Sequence, residues 1–255
     1  MVVMSLMGCT ELQDVKDELA KGGYALWYPA RAGVEPGQIW IIDGKTKVPN
    51  FERPSAVGVN RDVPAQFSNV KKHVEAGVSL DATFGLKVAG AAEELKAALS
   101  AGTVKDVKLD FGTTVIDELV MENFRRSLPQ LDGRYRAAVE KVRRGNDNLV
   151  LVVATVRAAG MKYTLKCEDS AKLTVQLPRI QALINAKIEA NVKSNTDVEW
   201  TIPSTESLTI AFTPAKGDWL DLETNEIRKR INVDLKQDDQ RSKINSVELL
   251  KVTGR

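Results

Sequence analysis

At 255 residues the chain suffices for one large domain or two small ones, with a full apolar core. Hydrophobic residues are 43 % and charged residues 27 %. The 36 Lys plus Arg against 34 Asp plus Glu leave a net charge of +2, which excludes polyanion binding by the whole surface and leaves local basic patches. One histidine, His73, excludes His-rich zinc sites. Two cysteines, Cys9 and Cys167, make no disulfide framework and fit a reducing compartment, and no run of 18 apolar residues offers a transmembrane helix.

Residues 1–8, MVVMSLMG, are apolar but short for a signal core and carry no basic flank. Leu6-Met7-Gly8-Cys9 matches a lipoprotein cleavage box only loosely, without a leader. A start at Met7 would place Cys9 beside the terminus, where an acyl chain adds about 0.8 kcal/mol per buried CH₂; the other reading of Cys9 is a small buried hydrophobe. Leu12, Val15 and Leu19 predict a short helix over 11–21 that Gly22-Gly23 stops. Residues 24–29 and 38–42 read as strands, and 44–64 as a loop or irregular edge.

Val74, Ala76, Val78, Leu80, Ala82, Phe84, Leu86 and Val88 then alternate with polar residues and glycines over fifteen positions. A straight strand of that length reaches roughly 50 Å, and a membrane-crossing strand needs only about nine to eleven residues. His73 stands at its foot, as a solvated side chain or a pH-sensitive membrane contact. Residues 89–100 predict a helix ended by Gly102, and 104–111 a strand. Ile116, Val120, Phe124 and Leu128 step by four, predicting a helix that Pro129 terminates. Tyr135, Ala138, Val139 and Val142 predict another, with Gly145 past its end. Around these helices lie Arg125, Arg126, Arg134, Arg136, Lys141, Arg143 and Arg144, opposed only by Asp132 and Glu140. This cluster is a solvated face or a contact for acidic lipid head groups or nucleic acid, with few aromatics to favour single strands.

Strands follow. Residues 149–158 form the first; Met161, Tyr163, Leu165 and Cys167 alternate with Lys162, Thr164, Lys166 and Glu168. Leu173, Val175 and Leu177 alternate next, then a helical turn over 178–184. Ala186, Ile188, Ala190 and Val192, then Val198, Trp200 and Ile202, then Leu208, Ile210 and Phe212 continue the pattern. Gly160 and Ser194-Asn195-Thr196-Asp197 suit hairpins. Interleaved helices and antiparallel pairs predict an α+β fold: a twisted, mainly antiparallel central sheet with flanking helices. Residues 223–255 hold eight basic and six acidic residues with little period and read as a charged linker. It leads to an apolar docking peptide with Ile244, Val247, Leu249, Leu250 and Val252.

Enzyme motifs fail. Gly44-Lys45-Thr46 has Ile39 where a phosphate loop requires glycine, and neither G-x-S-x-G nor a strand-borne G-x-G-x-x-G is present. Acid pairs such as Glu93-Glu94 and Asp238-Asp239 are expected by chance among 34 acids. The reading is no enzyme, no metal and no cofactor.

The order of segments resembles the bacterial gasdermins, relatives of the N-terminal domain of animal gasdermins, over most of residues 7–222. The resemblance begins at MGC (7–9), GGYALWYP (22–29) and GVEPGQIW (33–40). It runs through the alternating strand 74–88 into helix 89–100 and VKLDF (107–111). It is most specific in NLVLVVATVRAAGMKYTLKCED (148–169), LTVQLPRIQALINAKIEANVKSN (173–195), VEWTIP (198–203) and LTIAFTP (208–214). The resemblance implies a gasdermin N-domain-like pore-forming domain over 1–222 and an autoinhibitory C-terminal peptide within 223–255. It implies a cytoplasmic monomer whose tail a protease removes within 222–243, where Arg228-Lys229-Arg230 is the basic candidate. The freed domain would form a large homo-oligomer on acidic inner-membrane lipid, serving cell death in antiphage defence. It would insert hairpins from about 65–88 and 149–202 as a β-barrel. By the same resemblance Cys9 would be the lipidation site, carrying an acyl chain such as palmitate. The inserting faces would be Val74, Ala76, Val78, Leu80, Ala82, Phe84 and Leu86, then Met161, Tyr163, Leu165, Ile188, Ala190 and Val192. Six residues precede Met7, and the tail is longer and more charged than the family pattern.

Periodicity alone also fits an ordinary half-wet antiparallel sheet. The alternatives are therefore a cytosolic binding or scaffold module of the same fold, or a nucleic-acid binder through 125–144.

Overall fold

The computed structural model describes residues 19, 22–41, 49–64, 71–74, 104–145 and 149–239. Cys9, strand positions 75–88, helix 89–100 and the apolar peptide 244–252 lie outside the described residues.

The first sheet contains β1 (Ala25–Arg31), β2 (Ile39–Ile41), β3 (Val59–Pro64), β6 (Thr113–Leu119), β7 (Leu149–Ala159) and β11 (Ser207–Ala215), in the order β1-β11-β7-β6-β3. β2 also pairs with β7, using Leu149–Leu151, while β6 uses Ala154–Ala159. The second sheet is β4 (Lys71–Val74), β5 (Val104–Asp110), β8 (Lys162–Cys167), β10 (Asp197–Thr201) and β9 (Glu189–Val192), in the order β4-β5-β8-β10-β9. Every described pairing is antiparallel. With the helices below, this is the expected α+β class.

Among the described residues, three chain segments run from one sheet into the other. β5 passes into β6 at Gly112, β7 into β8 at Gly160, and β10 into β11 through residues 202–206. Pairing continues across the bend: Asp110 faces Lys162 on one side and Thr113 faces Ala159 on the other. Gly112 and Gly160 have φ of 62° and 71°, a region that L side chains disfavour. A methyl on Gly112 would also collide with the Ala159 carbonyl. Gly160 therefore does not close a hairpin; it carries the chain from one sheet to the other. The hairpin expected at 194–197 forms, joining β9 to β10.

The helices described over their full length are α1 (Met121–Ser127), α2 (Gly133–Arg144), α3 (Ser170–Val175), α4 (Leu177–Ile184) and α5 (Thr224–Asp239). Short 3-10 turns cover Leu128–Gln130 and Gly217–Asp221. In α2, Asp132 accepts from the N–H groups of Arg134 (2.8 Å) and Tyr135 (3.4 Å), and Gly145 ends the helix at φ 65°.

Three expectations need correction. The helix predicted from Ile116 begins only at Met121, and 113–119 is strand β6. The strand predicted over 173–177 is helical, because Asp169 caps the Lys172 N–H at 3.1 Å and starts α3. The linker predicted from 223 is helix α5 over its first part, with Ile227 and Ile231 buried one turn apart. Residues 59–64 are the irregular edge that 44–64 allowed, since the β3–β6 register shifts between Asn60 and Val63.

β7 is buried on both faces and reads as a continuous apolar run. Ala154, Val156 and Ala158 join a core with Leu165, Leu173, Ile180, Ile184, Val198 and Trp200. Leu149, Leu151 and Val153 join a second core with Leu119, Phe124, Val139, Ile227 and Ile231.

Candidate functional site: a half-wet strand face and a C-terminal clasp

β8 and β10 each have a buried and an open face. Leu165, Val198 and Trp200 are buried, while Lys162 and Lys166 are exposed and Asp197, Glu199 and Thr201 are half-exposed. The buried face is covered by Leu173 of α3 and by Ile180 and Ile184 of α4. Of the candidate inserting residues, Met161, Leu165 and Ile188 are core, Tyr163 is partly buried, and Ala190 and Val192 are exposed. Val74 closes β4. Val175, at the end of α3, is a large apolar side chain left 74 % exposed.

The basic cluster divides in two. Arg125 donates from Nε to the Leu220 carbonyl (3.1 Å), from Nη2 to the Leu222 carbonyl (2.7 Å) and from Nη1 to Glu223 (2.9 Å). Arg143 donates to Asp221 at 3.0 Å, Arg126 pairs with Glu122, and Arg136 donates to the Pro129 carbonyl at 3.1 Å. Arg134, Lys141 and Arg144 have no side-chain partner among the described residues. Spaced seven and three apart, they lie along one side of α2. Arg134 stands in the first turn, where the helix dipole disfavours a cation.

Arg125 and Arg143 therefore hold the approach to α5, and α5 completes the clasp. Thr224 donates to the Leu119 carbonyl at 3.2 Å. Arg228 pairs with Glu118 and lies over the Tyr24 ring, 4.8 Å from its centroid. Burial pushes the Tyr24 phenol up to about 12, against the lowering pull of Arg228. Gly23, at φ 73°, lies so close to the Arg228 backbone that a methyl group there would overlap it. The cleavage candidates Arg228, Lys229 and Arg230 thus lie inside a helix, with Arg228 engaged as above and Arg230 donating to Asp218 at 2.8 Å.

The fourth arrangement is a row of charges that sequence reasoning missed. Asp117 of β6 has a side chain 1 % exposed. It accepts from Arg157 Nε (2.7 Å) and Nη2 (2.9 Å), from Arg61 Nη1 (3.3 Å) and from the Asp62 N–H (3.1 Å). Arg157 also donates to Asp62 at 2.7 Å and to Ser207 at 3.0 Å. The partners of Asp117 stand 40 to 56 positions from it, so no local motif announces the row. Among the described residues no group of three or more His, Cys, Asp or Glu is arranged to hold a metal ion. No described helix is long and apolar enough to cross a membrane.

The molecule is thus an α+β protein whose distinctive parts are a half-wet strand face, a basic helix side and a docked C-terminal helix. The sequence profile of the Bacterial Gasdermin Family matches residues 51–225, more than half of the chain, and the chain belongs to that family. Membership carries a pore-forming, gasdermin-like role in general, of a non-enzymatic kind. The solved structure of a bacterial gasdermin from Bradyrhizobium tropiciagri is similar, at 20% identity over 77% of this chain and 82% of that chain, with a TM-score of 0.40. No curated protein matches the chain. The matched region ends at Asn225, so α5 lies almost wholly beyond it.

Proposed function

We propose that this gasdermin is an autoinhibited pore-forming effector of bacterial cell death that serves antiphage defence. It is held inactive in the cytoplasm by its C-terminal segment from residue 223. A protease removes that segment. The freed chain assembles as a large homo-oligomer on acidic inner-membrane lipid and extends hairpins from about 65–88 and 149–202 into a β-barrel. Acylation of Cys9 would add membrane affinity.

One observation carries this reading beyond the family match. The apolar face of β8 and β10 is covered by two short helices, α3 and α4, that lie in the same stretch of chain. Lipid in place of those helices leaves an apolar-out, polar-in strand pair, which is the pattern of a membrane barrel. Residues 173–177 carry strand periodicity yet are helical here, and exposed Val175 would join the lipid side of an extended strand. On α2, Arg134, Lys141 and Arg144 supply an anionic-lipid contact worth about 1 kcal/mol per residue near the surface.

The test is dye release from acidic-lipid vesicles by three forms: the full chain, a chain ending at residue 239 and one ending at residue 222. Release by a shortened form alone supports autoinhibition and assigns the inhibitory part to 240–255 or to α5. Release by all three removes the tail's role. Silence from all three, with native circular dichroism, overturns the pore reading and favours a scaffold.

A further inference from the structure

β3 is a poor strand. Its register against β6 breaks at Arg61 and Asp62, Asp62 has a φ of 57°, and Pro64 ends it. Charge, a bulge and proline are what an edge strand uses to refuse further partners. They also remove much of the backbone ladder that would hold β3 in place. What replaces the ladder is the charge row. The Asp62 N–H, left without a strand partner, donates to Asp117 on β6. Arg157 on β7 reaches across β6 to the Asp62 carboxylate and grips Asp117 with two nitrogens. Arg61 bridges Asp117 and Glu35, and Arg53 pairs with Glu35 at 3.2 Å. Three acids (Glu35, Asp62, Asp117) meet three bases (Arg53, Arg61, Arg157), so no charge is left over to recruit a ligand.

Only Asp117, at the centre of the row, is buried, and its charge is compensated by Arg157 and Arg61; such a pair adds little net stability compared with apolar packing, yet loss of one partner strands a charge. Such a row therefore fixes one arrangement and opens cooperatively. We infer that Asp62, Asp117 and Arg157 form a latch that holds β3 on the edge of β6 and sets the barrier to its release, independently of the C-terminal clasp. Opening the latch bares the β6 edge, which is then a hydrogen-bonding template for another strand, the kind of surface a second copy of this chain would use. This last step rests on the pore-forming reading; the latch itself does not.

The test is hydrogen exchange of the full chain, followed by mass spectrometry over residues 59–64 and over β7 and β11. Asp117→Asn keeps the shape and removes the charge. Asp62→Asn changes a side chain that is 71 % exposed and threatens folding least. Asp117→Asn is expected to speed exchange at 59–64 at least tenfold while β7 and β11 stay protected, and Asp62→Asn to speed it several-fold. Unchanged exchange at 59–64 in both variants overturns the latch, as does an equal rise across all three strands. If Asp117→Asn does not fold, Asp62→Asn alone decides by the same criteria. The same samples are added to acidic-lipid vesicles after C-terminal cleavage. Faster dye release by the variants links the latch to pore formation. Selective exchange without dye release from any sample, wild type included, keeps the latch and removes the pore reading.

Discussion

β7 and its neighbour β11 are buried on both faces, while β8 and β10, the continuations of the same two segments past a bend, have one face in water. The backbone bonding is alike in both; the covering differs. β7 is covered by distant parts of the chain, including Ile227 and Ile231 of the C-terminal helix. The β8–β10 face is covered by α3 and α4, two helices of six and eight residues inserted between β8 and β9. Isolated helices that short are marginal in water, so their helicity depends on this packing. This cover lies in the same stretch of chain as the strands it meets, and it is tied to the other sheet where the Ala32 N–H donates to the Ile184 carbonyl at 2.9 Å.

The largest expected effect breaks the body. Leu151→Ala removes a side chain with no exposure from β7 and should cost about 2–5 kcal/mol, read as a fall in the denaturant midpoint. Next comes the bend. Gly112→Ala forces a side chain into a left-handed conformation against the Ala159 carbonyl and should cost about 1–3 kcal/mol. Hydrogen exchange there should rise around 110–114 and 158–162 together; a rise on one side only would mean that the two halves are less tightly joined than the pairing indicates. Ile227→Val trims the clasp and should cost about 0.5–1.5 kcal/mol, with dye release by the uncut chain rising above wild type. The smallest stability effect is the sharpest functional one. Val175→Asp alters an exposed position and should stay within about 0.5 kcal/mol of wild type. It should nevertheless abolish release by the activated protein, because a charge on the lipid side of a barrel strand is strongly opposed. Full release by Val175→Asp would remove 170–184 from the inserting hairpin.

Where burial followed a simple period, the sequence was legible. β8, β10 and β11 are legible in their alternation, β7 in its apolar run, and α2 in Tyr135, Ala138, Val139 and Val142 with Gly145 as stop. The α+β class and the family resemblance followed from that order. The failures have particular causes. In β6 the buried positions include Thr114 and Asp117, so its alternation was polar and the step of four from Ile116 imitated a helix. At 173–177 a local cap from Asp169 and packing of Leu173 override a strand-like pattern. In α5, two isoleucines four apart were hidden among charges. Gly160 looked like a turn because sequence does not say which strand a segment chooses as neighbour. The row around Asp117 was illegible for the same reason, its members being brought together only by the sheet order.

That sheet order also has a consequence during synthesis. β1 pairs with β11, so Ala25 waits for Phe212; β2 waits for β7, and β3 for β6. Each of these strands finds its partner far along the chain, and β1 finds it in the last described strand, a topology of high contact order and slow closure. The sheet cannot be completed until most of the chain exists, and by then the next residues to emerge are those of α5. Helix α5 is therefore made almost together with the body on which it docks, leaving little time for a finished but unclasped body.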